Sequence, residues 1–275
     1  MSEKFVLNSN ICEVISVVTN ESRIRIIFEL NRKINTISGL AKQLDLNVQE
    51  THRNVNRMME TKVLIKTHVG LLSLSTLGKM IILLFPSFHF VVDNVSFFNA
   101  HTFEGMPDKF PQRIEVLQNC KLVSGVVKVL ENWSKMAHEC DRYMKIVASQ
   151  APLEPVEITL QKANKGLKVN LVVGRNTIFP ERYPELLKTY NSGKLELNGF
   201  FVTKIIDKVR FYLVITDKEA SISFTDLQGE VDINKTFFGR DPKFLDWCNE
   251  LFEHTWKQGI NDNEGLSRLF SNSNN

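Results

Sequence analysis

The polar residues between positions 49 and 57 are the ones best placed for chemistry, and that chemistry is hydrogen bonding to nucleic-acid bases. Arginine can donate two hydrogen bonds to guanine O6 and N7, and Gln or Asn can pair with adenine N6 and N7. At helical spacing the stretch offers Gln49, Glu50, Arg53, Asn54 and Arg57, with His52 on the flank. The spacing predicts a helix that binds in the major groove, although polar outer helix faces are also often simply solvated.

Signatures of catalysis, metal binding and nucleotide binding are missing from the sequence. Cys12, Cys120, Cys140 and Cys248 are far apart and include no C-x-x-C pair. His138 lies two residues before Cys140 on one predicted helix, where the two side chains point apart. Neither G-x-x-x-x-G-K-[ST] nor G-x-G-x-x-G occurs. We predict no enzyme, no catalytic residue, no metal and no cofactor, leaving open only a metal or redox sensor built from distant segments.

The polar residues 49–57 lie within a segment whose apolar residues recur at helical spacing. Ile37, Leu40, Ala41 and Leu44 form one stripe of a two-turn helix. Asn47 is the predicted N-cap of the next helix, with Glu50 completing a variant of the capping box. The residues expected to face inward on that helix are Val48, Thr51, Val55, Met58 and Met59.

Two short strands are predicted after this helix, joined at Val69-Gly70 and followed by another helix from Ser75. This is the order of a winged helix-turn-helix, in which the second helix of the pair enters the groove. Lys66 and His68 lie near the tip of the hairpin, where we expect them to touch the DNA backbone or the minor groove. The first 85 residues hold 11 Lys and Arg against 7 Asp and Glu, a net of +4, whereas the remainder is −1. This asymmetry favours a polyanionic partner for the first third.

The stretch from Ile37 to Lys79 resembles bacterial and archaeal winged-helix repressors. It departs from them at Thr61-Lys62-Val63, where the family usually has a glycine before the Leu-Ile pair. The matching positions are Leu40-Ala41, Leu44, Val55, Val63-Leu64-Ile65 and Leu74-Ser75-Thr76-Leu77-Gly78. The resemblance implies a DNA-binding domain.

Leu77 to Phe98 is rich in apolar residues, with Pro86 expected to kink or break a helix. This surface packs either against a second copy of the chain or against the C-terminal domain. We favour a homodimer, because one small DNA-binding domain rarely supplies enough specific affinity for DNA by itself. Met80–Val92 is too short for a membrane span, and the N-terminus has no apolar signal segment. We therefore expect no membrane association and a cytoplasmic protein.

Strands alternate with helices beyond Phe98, which predicts an α/β domain. Late hairpins at Asp207-Lys208 and Asp217-Lys218 make the predicted sheet mixed. The expected helices are 106–119, 127–140, 152–165, 180–192 and 242–257. The expected strands are 121–125, 143–149, 168–173, 194–197, 201–206, 210–216 and 220–224.

The same region resembles the effector domain of archaeal methanogenesis and filamentation regulators. The matching positions are His101, Gly105, Pro107, Gly229, Glu230, Asp232, Asp241, Pro242, Phe244 and Trp247. The resemblance implies a phospholipase-D-like α/β fold used for sensing. Enzymes of the phospholipase-D-like fold use a His-x-Lys motif, in which the histidine is the nucleophile. None of the six histidines here is followed by Lys two residues later. The triplet near the expected strand is Val202-Thr203-Lys204, so the nucleophilic histidine is absent.

Together these observations predict a two-domain protein, α+β followed by α/β: an N-terminal winged helix-turn-helix and a C-terminal α/β domain with a mixed central sheet. The predicted limits are 1–80 for the winged helix-turn-helix DNA-binding domain, 81–100 for a connector that forms the dimer, 101–260 for the effector domain and 261–275 for a flexible tail. The predicted function is a dimeric regulator that binds double-stranded DNA and responds to a small ligand. Arg175, at the end of a predicted strand, and His101 are the ligand-binding candidates; each has a plainer alternative, a surface charge and a structural cap. The other hypothesis is a winged-helix scaffold that binds a protein of the transcription machinery.

Overall fold

The computed structural model describes residues 9–261, which divide into two compact units, one ending at His89 and the other beginning at Phe90. The predicted limits at residues 80, 100 and 260 remain predictions, and the expected tail falls almost wholly outside the described residues. The first unit contains α1 (Ser9–Val18), α2 (Glu21–Arg32), α3 (Ile37–Leu44), α4 (Val48–Glu60), β1 (Leu64–Lys66) and β2 (Leu72–Leu74). Helix α5 (Thr76–Asp93) begins in this unit and ends in the next.

Short polar caps start the helices of the first unit and an apolar core holds them together. The side chains of Asn20, Thr36 and Asn47 accept hydrogen bonds from backbone N–H groups of α2, α3 and α4. Ile27 and Met58 are fully buried at the centre of the core. Asn35 also forms an isolated bridge with Leu72 beside the β1–β2 pair, which the sequence did not indicate.

Helix α5 continues through Pro86, so of the two expected outcomes the break is wrong and the kink stays a prediction. Proline lacks the N–H that would bond the Ile82 carbonyl, but one lost bond does not end a helix with strong apolar periodicity on either side. Within residues 9–261, α5 is the one helix whose length and apolar composition would allow it to cross a bilayer.

The second unit is built on a mixed sheet, as predicted, with helices on both faces. Its helices are α6 (Val95–Phe98), a 3₁₀ helix (Pro111–Asn119), α7 (Val126–Glu139), α8 (Leu153–Ala163), α9 (Tyr183–Thr189), α10 (Ser192–Leu197) and α11 (Pro242–Gln258). Its strands are β3 (His101–Thr102), β4 (Lys121–Ser124), β5 (Tyr143–Gln150), β6 (Lys168–Ile178), β7 (Phe201–Ile206), β8 (Phe211–Thr216), β9 (Ala220–Asp226), β10 (Val231–Gly239) and β11 (Ile260–Asn261).

The strand order is β11-β7-β6-β5-β8-β9-β10-β4, with β3 added to β9. Strands β5, β6 and β7 are parallel to one another, and the other pairings are antiparallel. Helices α7 to α10 contribute to the apolar core on one face, centred on Trp133. Helices α6 and α11 and the 3₁₀ helix contribute to the core on the other face, centred on Trp247. A sheet covered on both faces explains why β8 is buried along its whole length.

Three expectations for this unit are wrong, and one long strand was missed. Residues 194–197 form part of α10 and not a strand, because so short a run fits either periodicity. Residues 106–119 are helical only from Pro111, as a 3₁₀ helix. Strand β10 was missed because Asp232, Asn234 and Lys235 interrupt its apolar pattern. Asp207-Lys208 is not a hairpin turn, since β7 pairs with β6, whereas β8 pairs with β5.

Candidate nucleic-acid interface

Helix α4 carries an exposed polar stripe along one side. Asn47 starts the helix by accepting hydrogen bonds from the backbone N–H groups of Gln49 (2.8 Å) and Glu50 (3.4 Å). Thr51, Val55 and Met58 are fully buried, which fixes the rotation of the helix about its axis. The exposed stripe consists of Gln49, His52, Arg53, Asn56, Arg57 and Glu60.

Two of the predicted reading residues lie beside this stripe. Glu50 is half-buried and its carboxylate accepts a hydrogen bond from the Ser22 hydroxyl at 2.9 Å. Asn54 is also half-buried, four residues further along the same flank. Val48 was expected to face inward, but it is 56% exposed because it is the first residue of α4 and precedes the buried turn.

The sequence analysis did not include Asn56 among the DNA-binding candidates. Its helical spacing from Gln49, His52 and Arg53 places it on the same face and could have indicated it. Its side-chain amide lies 3.2 Å from His52 Nδ1, so the two side chains form one polar unit on the stripe. Arg57 pairs with Glu60 at 3.2 Å, and both are largely exposed. Such exposed pairs contribute little and can be exchanged for another partner. Within residues 9–261, the Arg53 guanidinium has no hydrogen-bond or ion-pair partner.

The β1–β2 hairpin presents Lys66 and His68, and both side chains are exposed. The turn between the strands closes through a hydrogen bond from the Gly70 N–H to the Thr67 carbonyl at 2.9 Å. Gly70 has a φ of +79°, which glycine adopts without strain. The hairpin therefore forms a short wing after α4, as the sequence predicted.

Lys62 adopts the left-handed conformation, with φ of +59°, at the turn between α4 and β1. It lies in the Thr61-Lys62-Val63 stretch, where the sequence departs from the winged-helix repressors that it resembles. The turn keeps its shape here because the Lys62 carbonyl accepts from the Ser75 hydroxyl at 2.6 Å and its N–H donates to Met59 O at 3.0 Å.

An apolar groove of about 780 Å³ opens between α1, the start of α2 and α5. Several large apolar side chains of α5 are strongly exposed, among them Leu83 (68%), Leu84 (71%) and Phe88 (67%). No Lys, Arg, Asp or Glu occurs from Met80 to Val92. A monomeric protein seldom leaves so continuous an apolar surface in water.

The two ligand candidates of the second unit have different surroundings. His101 is buried and stacks on Phe97 at 3.9 Å between ring centroids. Its Nδ1 lies 2.8 Å from the Phe97 carbonyl and its Nε2 lies 3.2 Å from the Asp232 carboxylate. Both ring nitrogens are therefore engaged, which favours the structural-cap alternative. Arg175 is exposed and lines a pocket of about 380 Å³.

Within residues 90–261, the structure places no reactive thiol and no metal cluster. Burial raises the pKa of Cys120 to about 12 and that of Cys140 to about 11, so both remain protonated near neutral pH. Among residues 9–261, no group of three or more His, Cys, Asp or Glu could hold a metal ion. Lys204, in the triplet noted above, donates to the Trp256 carbonyl at 3.0 Å and so stabilises the packing of α11.

Comparison with known proteins finds a family profile that matches much of the second unit. Residues 127–258, from α7 to the end of α11, match the family profile of the methanogenesis regulatory protein FilR1, middle domain. No curated protein sequence matches the chain.

Three solved structures share parts of the fold at low identity. TrmBL2, an archaeal chromatin protein that shows a novel mode of DNA binding, is 14% identical over 94% of this chain and 96% of that chain, with a TM-score of 0.42. NucT from Helicobacter pylori is 10% identical over 52% of this chain and 98% of that chain, with a TM-score of 0.39. Nuc from Salmonella typhimurium, a phospholipase D family member, is 14% identical over 52% of this chain and 97% of that chain, with a TM-score of 0.37. At these TM-scores the likenesses indicate neither a function nor a partner.

The family match overlaps the region in which the sequence alone resembled archaeal methanogenesis and filamentation regulators, and that prediction is confirmed: residues 127–258 are similar to the middle domain of the methanogenesis regulatory protein FilR1.

Proposed function

We propose that the protein is a dimeric transcription regulator that binds double-stranded DNA through α4 and responds to a small ligand through its second unit. The observation that carries the proposal is the exposed stripe of α4, in which Gln49, Arg53, Asn56 and Arg57 share one face. These are the side-chain types that pair with guanine and adenine edges in the major groove. The family match of the second unit supports a regulatory role. We assign this role to the cytoplasm, where an archaeal chromosome lies.

Binding would use two contact areas of the first unit. The stripe of α4 would enter the major groove, while Lys66 and His68 of the wing would contact phosphates or the minor groove. The net charge of +4 over the first 85 residues supports attraction to the phosphate backbone. Glu50 and Asn54 would contribute less than the sequence suggested, because they lie beside the stripe.

A second copy of the chain is the occupant we propose for the apolar groove of the first unit. Leu84 and Phe88 line this groove and are exposed, so a partner helix would bury them. Lys79 precedes the uncharged segment of α5 and Asp93 ends it. Two α5 helices packed antiparallel would therefore bring opposite charges together at both ends. Such a dimer would present two reading helices, and DNA half-sites for paired readers lie about 34 Å apart.

One observation favours a protein partner for the wing and α4 instead. Val48 at the start of α4 and Ile65 and Val69 in the wing are 56%, 47% and 64% exposed. Apolar side chains at these positions suit a protein interface as well as contact with sugars and thymine methyl groups. The scaffold hypothesis therefore stays as the alternative.

Selection of bound sequences from a random duplex pool, followed by titration of the winner at several salt concentrations, tests the proposal. We expect a palindromic site, a steep decrease of affinity with salt, and a loss of about 1–3 kcal/mol for Arg53→Ala. Arg32→Ala, which removes the same charge from the end of α2, is the matched control and should change affinity only slightly. If no sequence is enriched and every duplex binds equally weakly, the scaffold hypothesis replaces this proposal.

A further inference from the structure

The connection from β7 to β8 runs across the carboxyl ends of two parallel strands. Because the strand order is β7-β6-β5-β8, residues 207–210 must pass over β6 and β5 to reach the far side. The passage is close: a Cβ added to Gly174 would lie 2.8 Å from the Val209 backbone nitrogen. Ligands of open α/β sheets bind in crevices outside the carboxyl ends of the strands.

The end of β6 bulges at this point and its shape is fixed by hydrogen bonds. Ala148 pairs with Val173 and Gln150 with Ile178, so residues 174–177 bulge out of the β5–β6 pairing, while Gly174 still pairs with Ile206 of β7. Asn176 Oδ1 accepts from the Val209 N–H at 3.1 Å. Thr177 Oγ1 donates to the Ala148 carbonyl and accepts from the Gly174 N–H, both at 2.8 Å. These contacts hold the backbone that carries Arg175, and bulges commonly re-aim a side chain beside a functional site.

Arg210 is held from the other side of the same pocket. Its side chain lies against Gly105, where a Cβ would be 2.3 Å from Arg210 Cδ, and Gly105 has a φ of +79°. The Arg210 carbonyl also accepts a hydrogen bond from the Thr225 hydroxyl. Among residues 9–261, the pocket of about 380 Å³ is lined by Arg175, Lys208 and Arg210 against one acidic residue, Asp207, so the described lining has a net charge of +2.

Resting on the regulatory function proposed above, we propose that this pocket is the effector site and that its ligand is a small anion with two or more charges. The volume lies in the range of small-molecule sites. Arg175 pairs with Asp207 at 3.5 Å and Arg210 with Glu104 at 3.7 Å. These carboxylates are 99% and 77% exposed, so a ligand anion can displace them at little cost. Guanidinium groups bind phosphate and carboxylate alike, so the negative charges of the ligand could belong to phosphate groups or to carboxylate groups.

Titration calorimetry of the full chain with pyrophosphate and with citrate tests the site and distinguishes the two sources. We expect one of these probes to bind at least 10-fold more tightly than the other, and Arg175→Gln or Arg210→Gln to weaken that binding at least 10-fold. Arg182→Gln, an exposed arginine of the same unit that does not line the pocket, is the matched control and should leave binding unchanged. Thermal unfolding of each variant establishes that it is folded.

The DNA assay separates failure of this site from failure of the proposed function. If neither probe binds, or if the two pocket variants bind like the wild type, the effector assignment is overturned while the effect of Arg53→Ala on DNA binding stands. If the pocket variants lower affinity for duplex DNA and neither anion binds, the patch is a nucleic-acid contact and the small-anion site is equally overturned.

Discussion

The Ser22 hydroxyl donates a hydrogen bond to the Glu50 carboxylate at 2.9 Å, which joins the first turn of α2 to the first turn of α4. The contact explains why an acidic residue occurs beside a surface proposed to bind a polyanion. Glu50 stabilises the fold through this hydrogen bond, and its negative charge also interacts favourably with the positive N-terminal end of the α4 dipole. The same rotation of the helix leaves Gln49, Arg53 and Asn56 facing outward.

Glu50→Ala should lower stability more than it changes DNA sequence preference. Removing the carboxylate breaks the bond to Ser22, and we expect the free energy of unfolding to fall by about 0.5–1.5 kcal/mol. Urea unfolding measures this loss, and Ser22→Ala should reproduce most of it. Selection of bound duplexes should return the same preferred sequence as the wild type; a changed preference would mean that Glu50 contacts bases.

Asn56→Ala should alter base preference, whereas Asn54→Ala should not. Asn56 is exposed on the stripe and Asn54 is half-buried beside it. A lost side-chain contact to a base costs about 1–3 kcal/mol of discrimination. Competition binding with single-base variants of the preferred site measures this loss position by position. Equal effects of the two variants would contradict the assignment of the reading face.

The first unit was the more predictable part of the fold, because its elements are coded locally. Asn47 as N-cap and the Val69-Gly70 turn depend on neighbours in sequence, and both are confirmed. The rotation of α4 was predicted only approximately, so Glu50 and Asn54 were placed on the reading face. The hydrogen bond that engages Glu50 comes from Ser22, 28 residues earlier, and no local pattern encodes it.

The second unit was predicted less well where strands pair across long distances. The alternation of strands and helices indicated an α/β sheet and the late hairpins indicated a mixed one, which is confirmed, although of these only the hairpin at Asp217-Lys218 exists. The pairing of β7 was not predictable, since Asp207-Lys208 resembles a hairpin turn and only the sheet order shows a crossover. Arg175 was suggested from the end of its strand, but Lys208 and Arg210 join it through that crossover.

Lys62→Gly should stabilise the first unit. Lys62 has a φ of +59°, a conformation that costs an L-residue about 1–2 kcal/mol and glycine almost nothing. Part of this gain is offset by the greater freedom of glycine in the unfolded chain, so we expect a net increase of roughly 0.5–1 kcal/mol. Chemical denaturation measures the change. Lys66→Gly, in strand β1, is the control and should destabilise; a loss of stability in both variants would argue against strain at Lys62.

Leu84→Glu should shift the protein from dimer to monomer. Leu84 is 71% exposed and lines the groove of the first unit, so the substitution leaves the core of a monomer intact but buries a charge in the proposed interface. Light scattering after size-exclusion chromatography measures the molar mass. Leu197→Glu, at a leucine 89% exposed in the second unit, is the matched control and should remain dimeric. An unchanged mass for Leu84→Glu would remove α5 from the interface.

Asp241→Asn should cost stability at neutral pH but not in acid. The pKa of Asp241 is lowered from 3.8 by the hydrogen bond from the Asn119 side chain, 3.1 Å away, and by the backbone N–H of Lys243 at the start of α11. Because the folded-state pKa is depressed, the stabilisation is present above the unfolded pKa and is lost as the pH falls through the folded value. Asparagine keeps the N-cap but carries no charge. Urea unfolding of both proteins from pH 7 down to about pH 3 should therefore show a difference in free energy that shrinks with acid. A difference that stayed constant would mean that the charge of Asp241 does not stabilise α11.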